Sequence, residues 1–242
     1  MKLLRIASSV AAFSVAALVS SAVPASAVQA SAVQATPTPG SQTTPGVCAN
    51  VRHCHVVGYP DVDGDHFDDQ VGWRQINKQK VQIRVRTANG DMLTKRVNVR
   101  WWFGGGDWSG ATHIDKRRGV EMLIGSEMGA HTLWYTMLTY RHGDLVVEKS
   151  PAAGAKWAAD GAANIYQGWK RHVRTSGVVT MTERMATRTN NGNHFRGHNT
   201  TYVWRHDHWA KGRTVDTHYK NARQASKIGG WHVHGLRHFP GL

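Results

Sequence analysis

The sequence is poor in cysteine, in acid and in long apolar runs. Two cysteines in 242 residues rule out a disulfide-dense scaffold and a Cys-rich zinc site. Sixteen Asp and Glu stand against 30 Lys and Arg, a formal charge of +14 with a pI near 10.2, so any partner chosen by charge is a polyanion. Only the extreme N-terminus holds an unbroken apolar run, which excludes a polytopic membrane protein. In contrast, 10 Trp and 25 Gly favour short strands and tight turns over long helices, and 40% hydrophobic residues suffice for a packed core.

Residues 1–27 read as a secretory signal peptide. Lys2 and Arg5 form the positive n-region, Ile6 to Val23 is apolar and uncharged, and Ala25-Ser26-Ala27 supplies an A-x-A cleavage site. The expected mature chain is secreted and extracellular, begins at Val28 or Val33, and has no membrane span. Residues 28–47 are rich in Ala, Thr, Pro and Gln, cannot form a core, and are expected to be a disordered tail ahead of a β-rich domain over 48–242. Cys48 and Cys54 lie close in sequence, and in an oxidising compartment a disulfide is the expected state. A metal site formed with His53 and His55 is the alternative.

The most informative segment runs from Asp61 to Asp69. Carboxylates at Asp61, Asp63, Asp65 and Asp69 occupy loop positions 1, 3, 5 and 9, and Phe67 at position 7 offers a backbone carbonyl. A hard cation such as calcium takes six to eight oxygens, and alternate residues of a tight loop direct several of them at one centre. Asp61, Asp63, Asp65, Asp68 and Asp69 repel one another in so short a loop unless a cation is present. Position 12 is Gly72 rather than a bidentate Glu, so the loop is not an EF-hand. Asp68, between two ligand positions, is expected to point away.

Strand, D-x-D-G-D-x-x-x-D, strand resembles the calcium loop of FG-GAP/VCBS-type repeats, as found in small exported actinobacterial proteins and in integrin-like β-propellers. The resemblance is confined to this loop and its flanks and implies calcium as the cofactor, held by Asp61, Asp63, Asp65, Phe67 and Asp69. It departs from the repeat at position 6, where His66 replaces the usual Gly. A weaker copy follows, in which Asp115 stands where Asp61 stands in the first. Asp115 and Glu121 remain, while Lys116, Arg117 and Arg118 replace the middle acids and are expected to fill the metal's place in a structural, metal-free unit.

The remainder alternates in short runs. Asn89-Gly90 between two alternating segments marks a hairpin, and His142-Gly143 and His206-Asp207 mark two more. The expected fold is all-β, an antiparallel meander of hairpins, partial-propeller or sandwich-like, with one short helix over Asp216 to Lys227 capped by Asp216 or Thr217. Residues 170–242 carry thirteen Lys and Arg against Glu183, Asp207 and Asp216. Lys220, Arg223 and Lys227, spaced to share one face of that helix, are the expected contact for an anionic cell-wall polymer or nucleic acid. Trp101 and Trp102 point to opposite faces, and one of them is a candidate stacking platform.

Two functions follow. The first is a secreted, monomeric, non-enzymatic calcium-binding β-repeat protein with a basic face for anionic surface polymers. The alternative is a small secreted hydrolase of phosphodiester or glycan that uses the C-terminal histidines, and it requires three or more of His194, His198, His206, His208 and His218 to converge beside an acid. Glu127 and Glu148 are candidate glycosidase carboxylates without a supporting motif.

Overall fold

The computed structural model describes residues 45–101, 106–152, 156–190 and 192–239. The expected signal peptide, nearly all of the tail, and Trp102 lie outside the described residues. The strands run in chain order as β1 (Cys54–Gly58), β2 (Gln70–Asn77), β3 (Lys80–Arg86), β4 (Met92–Asn98), β5 (Asp107–Thr112), β6 (Glu121–Met128), β7 (Thr132–Arg141), β8 (Asp144–Glu148), β9 (Trp157–Ala162), β10 (Ile165–Val173), β11 (Val179–Arg188), β12 (Phe195–Arg205), β13 (His208–Tyr219) and β14 (Gly230–His232). Helix α1 (Ala222–Ala225) and a single 3-10 turn, Ser226–Ile228, precede β14. The fold is therefore all-β with one short C-terminal helix. Among the described residues no barrel closes, and no helix is long and apolar enough to cross a membrane.

One sheet has the order β1-β2-β3-β4. The other runs β13-β12-β11-β10-β9-β7-β6-β5, with β8 added to β7 and β14 added parallel to β10. Along its edge away from β6, long β7 serves two neighbours: Thr132–Tyr135 pairs with β9 and Met137–Arg141 pairs with β8. Strands β5-β6-β7-β8 thus form a second four-stranded meander inside the large sheet.

The two meanders share one pairing register. Val71↔Val85 and Trp73↔Ile83 in the first match Leu123↔Met137 and Gly125↔Tyr135 in the second, all at one constant sequence offset. Their faces are used in the same sense. Val71, Trp73, Val81, Ile83 and Val85 pack against Met122, Ile124 and Leu138 of the second meander. The second meander's equivalent residues Leu123, Leu133, Tyr135 and Met137 pack instead on the next layer, around Trp157, Trp169 and Trp231. This head-to-tail stacking is how propeller blades stack, whereas the sheets of a sandwich meet through equivalent faces. The three buried indoles also interlock, with Trp157 and Trp169 centroids 4.7 Å apart and tilted towards edge-on.

Helix α1 departs from expectation. Asp216 to Tyr219 belong to β13, paired to β12 as far as Phe195↔Tyr219, and the helical cap is Asn221, whose side chain accepts from Gln224 N. Asp216 or Thr217 as cap, with Gly229-Gly230 as stop, favoured a longer helix. Cross-strand pairing of β-branched and aromatic residues along β13 prevailed over it. Cys48 and Cys54 form the disulfide, which sits over Gly72, where a Cβ would lie 2.9 Å from Cys48 Sγ.

Candidate functional site

The acidic loop connects β1 to β2 and is folded by its own carboxylates. Asp61 Oδ1 and Oδ2 accept from Gly64 N (2.7 Å) and His66 N (3.0 Å), Asp63 Oδ1 from Asp65 N, and Asp65 Oδ1 from Phe67 N. These local turns bring Asp61, Asp63 and Asp65 together, with one oxygen of each within 4.8 Å of the others. Two oxygens bound to one calcium at 2.3–2.6 Å are at most about 5 Å apart, so this donor set fits a hard cation. His66 occupies the left-handed region with φ 74°, the role a glycine plays at this position. Asp68 is exposed.

Asp69 stands apart from the converging three. It is fully buried, and its carboxylate accepts from Val62 N (2.7 Å), Asp63 N (3.3 Å) and Ala88 N (2.9 Å). It anchors the loop to its own start and to the β3–β4 turn. Phe67 is 67% exposed at the crest of the loop. The Asp63 carboxyl is held above its ordinary value, first by burial, then against the amide of Asp65 by the charges of Asp69, Asp65 and Asp61. Among the described residues the ion pairs include no Lys or Arg on Asp61, Asp63 or Asp65; the imidazole of His66 lies near, with Nδ1 3.9 Å from Asp61 Oδ2.

The second loop repeats this architecture with different chemistry. Ile114 N (2.6 Å) and Asp115 N (3.4 Å) donate to Glu121 Oε2, as Val62 N and Asp63 N donate to Asp69. Arg117 N donates to Asp115 Oδ1 as Asp65 N does to Asp63. The hydrogen bonds therefore align Asp115 with Asp63, at the offset shared by the strands, and correct the alignment with Asp61 read from the sequence. The cation is also corrected. Lys116 and Arg118 are exposed, and Arg117 pairs with Asp207 (2.7 Å). Arg141, at the end of β7, enters the loop instead. Its Nη2 bonds Asp115 and lies 3.8 Å from Glu121 Oε1 and 3.6 Å from Glu148 Oε2.

Asp115, Glu121 and Glu148 form a second converging group, all three buried. Glu148 Oε1 accepts from Trp209 Nε1 (2.8 Å), while buried Oε2 has no hydrogen-bond partner among the described residues. Burial and the neighbouring carboxylates push Glu121 up to about 7 and Glu148 up to about 8, opposed by Arg141. Sequence reasoning missed Arg141 because it lies well beyond Glu121, in a strand that reads as ordinary hairpin. It also missed Glu148 as a member of this group.

The two loops are stacked. Val120 N donates to Asp61 O (3.0 Å), and Gly119, at φ +80°, leaves no room for a side chain: a Cβ there would lie 2.1 Å from Val62 O.

The histidines separate. His206 and His208 sit at the β12–β13 turn, while His194 and His218 line a shallow pocket at the other end of the hairpin with Phe195, Arg196, Tyr219 and Lys220; His198, opposite Asp216, does not line it. Lys220, Arg223 and Lys227 are all exposed, but they precede α1, lie in it and follow it, so no continuous helical face joins them. Glu127 pairs with Lys156 (2.8 Å) away from Glu148. Trp101 packs on Gly125 rather than standing free. The chain matches no protein-family model, no curated protein and no solved structure.

Proposed function

We propose that the protein is an exported, monomeric, non-enzymatic β-repeat protein whose first meander binds calcium and whose basic surface holds anionic surface polymers, wall polymer or nucleic acid. The observation that carries this reading is the convergence of Asp61, Asp63 and Asp65 in a loop where they pair with no Lys or Arg among the described residues. When bound, calcium would supply the positive charge that three adjacent carboxylates lack, with Phe67 adding its carbonyl at the exposed crest. Asp69 holds the loop in shape from beneath. The resemblance to FG-GAP/VCBS-type loops agrees with this donor set, and the Cys48–Cys54 disulfide agrees with an oxidising compartment. The hydrolase alternative needs three histidines in one cleft beside an acid; one pocket is lined by His194 and His218 but not by His198, and His206 and His208 lie at the other end of the β12–β13 hairpin.

Calorimetric titration of the mature chain with calcium chloride tests the reading. One ion per chain is expected, with a melting temperature that rises with calcium and falls on adding chelator. Asp63→Ala should abolish the calcium-dependent rise while Asp68→Ala keeps it. A wild-type melting temperature indifferent to calcium and chelator would refute the site.

A further inference from the structure

We infer that Arg141 is the resident cation of a second, converted metal loop: the duplicated unit takes its positive charge from solution at the first loop and from its own chain at the second. The inference extends the calcium reading of the first loop, but its principal test, the Arg141→Asn exchange, does not depend on that reading.

The two loops share one register. The backbone amides that donate to Asp69 and to Glu121, and the turn within each loop, correspond residue for residue at the offset that relates the strands. At the same offset, the residue opposite the first loop is Asn89 and the residue opposite the second is Arg141. Both direct a side-chain nitrogen at the acids: Asn89 Nδ2 donates to Asp65 Oδ2 (3.1 Å), and Arg141 Nη2 donates to Asp115 Oδ2. Asn89 is neutral and leaves the charge of its loop uncompensated. Arg141 brings a full charge.

The guanidinium also fills the site incompletely. A planar fork directs its N–H groups in one plane, whereas a calcium ion accepts six to eight oxygens from all sides. Arg141 donates Nη1 to Tyr140 O (2.7 Å), which holds the guanidinium where it lies. Glu148 Oε2 is consequently left buried with no hydrogen bond, 3.6 Å from Nη2. A buried carboxylate oxygen without a hydrogen bond carries a desolvation penalty, and an unfilled ligand position is one arrangement that accounts for it. Asp115, Glu121 and Glu148 keep ligand atoms within 4.8 Å of one another, as Asp61, Asp63 and Asp65 do, but from other positions: Asp115 stands where Asp63 stands, Glu121 where Asp69 stands, and Glu148 comes from β8. The charged groups facing this centre are Arg141 from β7, Arg171 from β10, which donates to Ile114 O, and Arg117 from the loop itself. Of these, Arg141 alone contacts all three acids.

Exchanging the residues at the two equivalent positions provides the test. In an Asp63→Ala background, which silences the first loop, Arg141→Asn should gain one calcium per chain by calorimetry and a melting temperature that rises with calcium chloride. The Asp63→Ala parent should show neither. If the double variant is unfolded in chelator, refolding on addition of calcium supports the inference equally. A double variant that folds yet binds no ion, or one that calcium does not refold, would overturn it. The converse exchange, Asn89→Arg in the otherwise native chain, should weaken calcium binding at the first loop at least tenfold and leave the melting temperature in chelator undiminished. Where the native chain binds calcium, unchanged affinity in that variant would also overturn the inference. Should the native chain bind no calcium while Asp63→Ala/Arg141→Asn does, the first-loop reading falls and the assignment of Arg141 stands.

Discussion

Asp63 and Asp69, close neighbours in the first loop, are expected to behave oppositely. Asp63 is half-buried in a group of like charges, so its removal matters chiefly when an ion is bound. Asp69 satisfies three backbone amides from a fully buried position. Asp69→Ala orphans those amides and should cost about 3 kcal/mol or more with or without calcium, read as a shift in the urea midpoint. Glu121 and Glu148 give a pH signature. Each carboxyl is raised from an ordinary value of 4.5, to about 7 and about 8, so the folded state holds protons that the unfolded chain has released. Their contribution is fully present below pH 4.5, declines as pH rises, and is lost above pH 8. Glu148→Gln, which cannot ionise, should flatten the fall in melting temperature from mildly acidic pH up to about pH 8. A variant as steep as the native chain would place the titration elsewhere.

At the level of elements, the stacked loops depend on closeness. Gly119 combines a positive φ with a gap that no side chain fits, since a Cβ would meet the carbonyl of Val62. Gly119→Ala should therefore separate the two loops and destabilise the chain by about 2–4 kcal/mol, read as a lowered urea midpoint. It should also weaken calcium binding at the first loop, measured by calorimetry, because Val120 N holds Asp61 O from the same segment. Hairpins were readable because Asn89-Gly90, His142-Gly143 and His206-Asp207 carry the left-handed conformations that tight turns require, with φ of 50° at His142, 45° at His206 and 65° at Asp207. The start of the helix expected over Asp216 to Lys227 was misread because a capping residue such as Asp216 or Thr217 also fits a strand. Where a strand as long as β13 can complete its ladder to a neighbour, pairing outweighs the cap.

For the whole molecule, the charge imbalance is the property to measure. The basic residues of β13, among them Lys211 and Arg213, are exposed along with Lys220, Arg223 and Lys227. Such a spread of cations predicts retention on heparin that weakens linearly with the logarithm of salt concentration, through release of counter-ions rather than through a shaped pocket. Replacing Lys220, Arg223 and Lys227 together by Gln should lower the eluting salt concentration without altering the circular dichroism spectrum. Unchanged elution would remove these three from the contact surface.

Local chemistry was written in the sequence. Alternation specified strands, turn residues specified hairpins, a lone cysteine pair specified the disulfide, and D-x-D-G-D specified a loop whose acids must face one another. Each is settled over a short stretch of chain by φ preference or by hydrogen bonds of short reach. What depended on the tertiary structure was the company those residues keep. Only folding turned Asp69 inward away from Asp61, Asp63 and Asp65, brought Arg141 and Glu148 to Asp115, and divided the histidines between the two ends of one hairpin. Charge compensation acts through space at short range, between residues far apart along the chain, and no local pattern encodes which cation will face which acid.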